Sequence, residues 1–249
     1  MNYFKIQNKN LIKPFTLAKE IFEISYDKFD GDVEKFNRDQ TNNFLMFPHQ
    51  DGNIYVWKEG VLKKLQKEFF KVFNIPVYNI FILHTPAFGE YKWHNEGTRF
   101  LDLAPSEYKN FILNNRIRRN VAINYKLTDK DLSKSKIVWA KNNSTIDKIC
   151  TDHYPLLKQT DENYDTGKGI KIRYGHEVVN DESLITIEDD YHGMEIPTLV
   201  RVNKFHKIDN SQSEFDRIVG SACFHPDILF DDLQKILENN IAQNTDNIF

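Results

Sequence analysis

The sequence predicts a mainly β fold, a small barrel flanked by helices, and three stretches carry that expectation. Thr198–Phe224, TLVRVNKFHKIDNSQSEFDRIVGSACF, reads as two strands joined by the polar turn IDNSQSEFD. Val200, Val202, Lys204 and His206 then share one face of the first strand, and Arg217, Val219, Ser221 and Cys223 share one face of the second. The apolar run Val77–His84 reads as a further strand, and VAINYKL, Val121–Leu127, alternates as another. With 249 residues, 40% hydrophobic and 13% aromatic, the chain is long enough for one large core, as in barrels of about 200–250 residues. One domain over 1–249 is expected, with 1–76 as mainly helical support, 77–225 as the barrel and 226–249 as a C-terminal helix and tail.

Taken in order, the opening MNYFKIQNKNLIKPF lacks the apolar core of a signal peptide, and no run reaches the ~18 apolar residues of a membrane helix. A cytoplasmic location is expected, where Cys150 and Cys223 are free thiols. Lys13–Phe29 carries Leu17, Ile21 and Ile24 at helical spacing, which predicts a surface helix packed on a sheet. Residues 30–52 show no clear period, and NIYVW, Asn53–Trp57, predicts a short strand. Gly60 introduces VLKKLQKEFFKVF, a helix with Val61, Leu65, Phe69 and Phe73 on one face and lysines opposite, which Asn74-Ile75-Pro76 ends.

Farther on, PSEYKNFILNN, Pro105–Asn115, predicts a short helix. The cluster Arg116, Arg118 and Arg119 reads as a solvated loop in preference to an anion-binding rim. Residues 140–171, rich in Asn, Asp, Lys and Thr, predict a long insertion between barrel strands. IKIRYGHEVV and SLITIEDD predict a pair of strands around Asn180-Asp181, and DILFDDLQKILENNIAQ predicts the last helix.

The chemistry concentrates in four residues. His94 and Glu96 are two apart, so on an extended backbone both project from one face, and an imidazole nitrogen and a carboxylate oxygen reach one ion together. With His206 they make two histidines and one carboxylate, the set that occupies one face of an octahedral iron and leaves three positions open for a 2-oxo acid and dioxygen. Arg217 follows His206 on the next strand, where its planar fork suits the far carboxylate of that acid. If Arg217 faced outward, Lys204 would be the next cation. Each residue also has a plain reading: eight histidines make a chance His-x-Glu unremarkable, and Arg217 has Asp209 and Asp216 near it in sequence as surface partners. His84 is an alternative ligand; like His176, His192 and His225 it is read first as structural.

In order and spacing, His94-Asn95-Glu96, a long interval, His206 and then Arg217 resemble the Fe(II)/2-oxoglutarate-dependent oxygenases, nearest to loosely defined phage and bacterial members. RRNVAINYKL after the first motif and Trp139 beyond it add to the likeness, which covers about 77–225. Two positions depart from the family pattern: Glu96 stands where Asp is commoner, and Val219 replaces a serine that some members carry. The resemblance implies a double-stranded β-helix, or cupin-like jelly roll. It implies Fe(II) on His94, Glu96 and His206, 2-oxoglutarate held by Arg217 through its 5-carboxylate, O2 as oxidant, and hydroxylation of a primary substrate with release of succinate. The family often places a polar residue against the co-substrate in the strand after the first motif. Asn124 and Tyr125 alternate faces there, and Asn124 is the one expected to point inward.

The alternative class is a non-redox cupin-like module that binds a metal or small ligand or serves a structural role. A net charge of −3 does not favour nucleic acid as a partner. HExxH, paired CxxC, Walker, GxGxxG and GxSxG motifs are absent from the sequence, which removes support for zinc peptidase, nucleotide-binding and serine hydrolase readings. The primary substrate class stays open among protein side chains, amino acids and other small metabolites.

Overall fold

The computed structural model describes residues 1–49, 52–91, 93–100, 121–142, 172–178, 185–224 and 228–245, with the backbone alone at 9, 49, 78, 95–100, 142, 172–178 and 240–245. Twelve strands form two antiparallel sheets. They are β1 Tyr3–Lys5, β2 Phe44–His49, β3 Gly52–Trp57, β4 Val77–Thr85, β5 His94–Phe100, β6 Val121–Lys126, β7 Lys136–Asn142, β8 Ile172–Val178, β9 Ile185–His192, β10 Thr198–Arg201, β11 His206–Asp209 and β12 Arg217–Phe224. A seven-stranded sheet runs β1-β10-β6-β12-β4-β3-β2, and a five-stranded sheet runs β8-β5-β11-β7-β9.

Alternation along the strands builds two cores. Val56, Phe81, Ala122, Val200, Val219 and Cys223 of the larger sheet meet Ile137, Trp139, Tyr191 and Ile208 of the smaller in one buried cluster, so the sheets face each other. The opposite face of the larger sheet, with Ile80, Ile82, Ile123, Leu199 and Ala222, packs against helices. These are α1 Ile12–Tyr26 and α3 Glu59–Phe73, while α2 Val33–Arg38 lies against β2 and α4 Phe230–Thr245 against β10. Leu65, Phe69 and Phe73 are the buried face of α3, and Asn74 ends that helix in the left-handed region at φ 54°. No helix among the described residues is long and apolar enough to cross a membrane.

Gly220 lets α1 lie close on β12. A Cβ there would stand 2.9 Å from Phe15 Cδ1 and 3.2 Å from Leu127 Cδ1. Gly220→Ala is therefore expected to lower stability by about 1–3 kcal/mol through overpacking, read by denaturant unfolding. At the far edge Arg201 ties both ends of the chain together. Its Nε donates to Met1 O at 2.9 Å, its Nη2 to Asp231 at 2.6 Å, and its guanidinium lies 4.2 Å from the Phe230 ring centroid. Because Asp231 is exposed, the ion pair adds little. Arg201→Ala should cost about 1–2 kcal/mol and speed amide exchange selectively in α4.

Several sequence expectations change here. The buried face of α1 is Phe15, Ala18 and Phe22; Leu17 and Ile21 flank it, and Ile24 is 62% exposed. Ring contacts set that orientation, Phe22 stacking on Phe44 at 5.1 Å and meeting Tyr55 edge-to-face at 4.9 Å, and the aliphatic spacing alone did not reveal it. Residues 30–52 hold α2, capped by Asp32 accepting from Lys35 N, and then β2. The 170–190 region does form strands, but β8 pairs with β5 and β9 with β7, at opposite edges of the smaller sheet. The insertion expected from 140 begins later, since β7 continues to Asn142. Pro105–Asn115, the arginines 116, 118 and 119, Cys150 and 143–171 lie outside the described residues.

Candidate functional site

The stretch around His206 divides into three strands. β10 belongs to the larger sheet and β11 to the smaller, with 202–205 crossing between them. That crossing breaks the period of two, so Lys204 does not share the His206 face. It is part exposed and donates to Glu188 at 3.1 Å, which removes it as a reserve cation for the interior. His206 and Ile208 alternate inward along β11, and Ile208 lies in the core between the sheets.

His206 is the register partner of His94 across the β11–β5 pairing. Directly opposed residues of antiparallel strands project from the same side, so both imidazoles face the interior. Their ring centroids are 4.5 Å apart at 53°, and they are 3% and 4% exposed for His94 and His206. Lys204 O lies 2.8 Å from His206 Nδ1, and because a carbonyl only accepts, Nδ1 carries the proton. In the neutral ring Nε2 is then the nitrogen with the lone pair, the tautomer a metal ligand needs.

Glu96 is two residues along β5, opposite His176 of β8, and the pleat puts it on the same face as His94. Its side chain lies outside the described residues. Among the described residues no three His, Cys, Asp or Glu side chains converge on a metal-sized site. Two buried imidazoles meeting at ring contact, one with its tautomer fixed, form a donor set that fits a divalent transition metal.

Arg217 opens β12 in the opposing sheet, on the face shared with Val219 and Cys223 of the inter-sheet core. It is 2% exposed. Nη2 donates to the Met194 thioether at 3.5 Å, Nη1 has no partner, and no carboxylate pairs with it among the described residues. The surface partners that the sequence offered are engaged elsewhere. Asp216 accepts from Ala87 N at 2.9 Å and meets His84 Nε2 at 3.1 Å, and Asp209 accepts from Ser211. Burial pushes the guanidinium down to about 10, with the Tyr91 hydroxyl acting in the opposite direction. At neutral pH it is still charged, and among the described residues it has no counter-charge.

Asn124 is buried on the inner face of β6, between Thr198 and Ser221 in register, and its Oδ1 has no partner. Tyr125 faces the helices against Phe15. Ser221 is four residues from Arg217 along β12, about 13 Å of strand rise, so Asn124 and Arg217 do not share one carboxylate. His84 points to the helix side, 3.3 Å from Asn53 Nδ2, away from the histidine pair. Trp139, opposite His206 in β7, is a core aromatic whose Nε1 donates to Arg201 O at 2.8 Å; Trp93 sits in a separate cluster with Val138 and Ala140.

Two residues escaped the sequence reading. Tyr91 is buried in the inter-sheet core, its ring centroid 6.5 Å from that of His94 and its hydroxyl 2.7 Å from His84 O. No motif marks it, three positions before His94. Met194 follows Gly193 in a turn of two consecutive left-handed residues, and only the histidine-glycine pair hinted at a turn there.

No protein-family model matches the chain, and no curated protein matches it. Among solved structures, the chain is similar to HygX from Streptomyces hygroscopicus with nickel and 2-oxoglutarate bound, at 11% identity and a TM-score of 0.39, over 88% of this chain and 79% of that one. It is similar to the non-heme alpha-ketoglutarate-dependent epimerase SnoN from nogalamycin biosynthesis at 7% identity and a TM-score of 0.38, over 89% and 76% of the two chains. A prolyl-4-hydroxylase of Pseudomonas putida aligns at 9% identity and a TM-score of 0.34, over 90% of each chain.

Proposed function

We propose that the chain is an Fe(II)/2-oxoglutarate-dependent hydroxylase, one oxygenase domain in which the two facing sheets are the halves of a double-stranded β-helix. The observation that carries this is the pairing of two buried, inward-facing imidazoles on one sheet with a buried guanidinium on the other that no carboxylate among the described residues compensates. A ligand that is metal-chelating at one end and anionic at the other satisfies both, and 2-oxoglutarate has that chemistry.

In this reading His94, Glu96 and His206 hold the iron, and Arg217 holds the 5-carboxylate. Bound iron supplies activation of O2, with 2-oxoglutarate split to succinate and carbon dioxide while one oxygen atom enters a substrate C–H bond. The residues do the rest. The Lys204 carbonyl keeps the His206 ring in one orientation and tautomer. Glu96 as the carboxylate ligand would fill the place that a halide would need, which favours hydroxylation over halogenation. Trp139, Val219 and Ile208 exclude bulk water and strengthen the pull of Arg217 on its anion. Asn124 offers an acceptor away from the Arg217 end, where a ligand donor or an ordered water would meet it. A cytoplasmic setting suits the buried Cys223 thiol and the need for reduced iron.

Succinate release on supplying Fe(II), 2-oxoglutarate and O2 tests the proposal, screened over peptides, free amino acids and small metabolites. Slow succinate formation without added substrate, accelerated by one class, is expected. No succinate under any of these conditions would leave the non-redox module as the better reading.

A further inference from the structure

We propose that Met194 is a specificity-determining residue of the diacid site: its side chain fills the space over one arm of Arg217 and sets the length of the 2-oxo diacid that the interior accepts. The inference rests on the reading of Arg217 as the carboxylate partner.

Met194 lies in the connection from β9 to β10. Its φ is 70°, next to Gly193 at 86°, a left-handed conformation that a long side chain adopts at a steric cost and that glycine would adopt freely. The backbone holds it there from several sides. Gly193 N donates to Ser135 O at 3.0 Å, Met194 N to His192 O at 3.1 Å, and Lys126 N to Met194 O at 3.3 Å. The consequence of this strained, pinned turn is that the thioether is delivered into the inter-sheet core, 2% exposed, with Sδ 3.5 Å from Arg217 Nη2. A thioether is a weak acceptor and carries no charge, so it does little to compensate the guanidinium. What it contributes is volume.

That volume is asymmetric about Arg217. Among the described residues Nη1 has no partner and Nη2 is covered by sulfur, so an incoming carboxylate meets Nη1 first and abuts the methionine. On this proposal the histidines hold the other end of the ligand, and one extra methylene would press the carboxylate against Met194, so that a five-carbon 2-oxo diacid would be preferred to a six-carbon one. Discrimination by one methylene in a packed pocket is typically about 10- to 200-fold.

Anaerobic calorimetric titration of 2-oxoglutarate and of 2-oxoadipate into the Fe(II)-loaded protein tests this. Wild type should prefer 2-oxoglutarate by about tenfold or more. Met194→Ala should shrink that preference by about tenfold, chiefly by binding 2-oxoadipate more tightly. Met194→Gly, which also relaxes the left-handed backbone and so guards against a folding failure, should do the same. Met194→Leu, close in volume, should keep the wild-type ratio. An unchanged ratio in the Ala and Gly variants, or a parallel loss of both acids, would overturn the role of Met194 while leaving Arg217 as the clamp. Failure of wild type to bind either acid would overturn the underlying reading and this inference with it.

Discussion

His206→Ala is expected to lower Fe(II) affinity by more than about 100-fold, with turnover falling in step. Loss of a partner that merely orients a ligand costs about 10- to 100-fold, and deleting the ligand itself must exceed that. The substitution removes a buried imidazole whose Nδ1 proton is committed to the Lys204 carbonyl, which leaves Nε2 as the nitrogen that would bind the ion. His94→Ala should behave alike, because the two rings meet across a single register pair. Competition against a chelator under anaerobic conditions reads the affinity, and circular dichroism excludes unfolding. Wild-type iron affinity in either variant would remove the histidine pair from the metal site.

Replacing Arg217 by Met should move stability and ligand binding in opposite directions. In the ligand-free protein the guanidinium is buried with one arm unpartnered, and burial holds its pKa near 10, below its ordinary value. A base with a depressed folded pKa destabilises the native state at every pH below that value, and the penalty is relieved only as pH rises through it. An apolar side chain of similar length removes the penalty, so Arg217→Met should raise ligand-free stability by about 1–4 kcal/mol. The gain should be flat across about pH 6–9, since the charge does not change there. The same variant should lose about 1.5–3 kcal/mol of 2-oxoglutarate affinity, roughly 10- to 150-fold, with iron binding unchanged. Lys at 217 should recover part of the binding, as a point charge in place of a fork. A destabilised Arg217→Met protein would mean that the guanidinium is compensated in the fold and is not held ready for an anion.

The strand faces of the candidate residues were more legible in the sequence than the architecture around them. The strict period of two in β12 fixed the face of Arg217, and the alternation of VAINYKL turned Asn124 inward, because both segments are regular strands lying across a two-sided sheet. That His94 and Glu96 share one face of β5 needed only the pleat of the backbone. Lys204 was misjudged because the chain leaves one sheet for the other at 202–205, and a periodicity argument assumes the strand goes on. The partners of β8 and β9 were hidden for a related reason. Adjacent strands in sequence suggest a hairpin, whereas these two stand at opposite edges of the sheet, paired through contacts distant in the chain. In α1 the aromatic residues, not the aliphatic ones, chose the buried face, since Phe15 and Phe22 find ring partners on α3 and the sheet. Met194 could not be foreseen at all: its importance lies in a backbone conformation that its own side chain disfavours.

Visible absorption of the anaerobic protein reports whether Fe(II) and 2-oxoglutarate bind together at the histidine pair and Arg217. With Fe(II) and 2-oxoglutarate both present, wild type should show a weak charge-transfer band that neither component gives alone and that saturates at a single equivalent of each per chain. The band should vanish in His206→Ala and require about 10- to 150-fold more 2-oxoglutarate in Arg217→Met. A folded wild-type protein that gives no band with both components present would contradict the account.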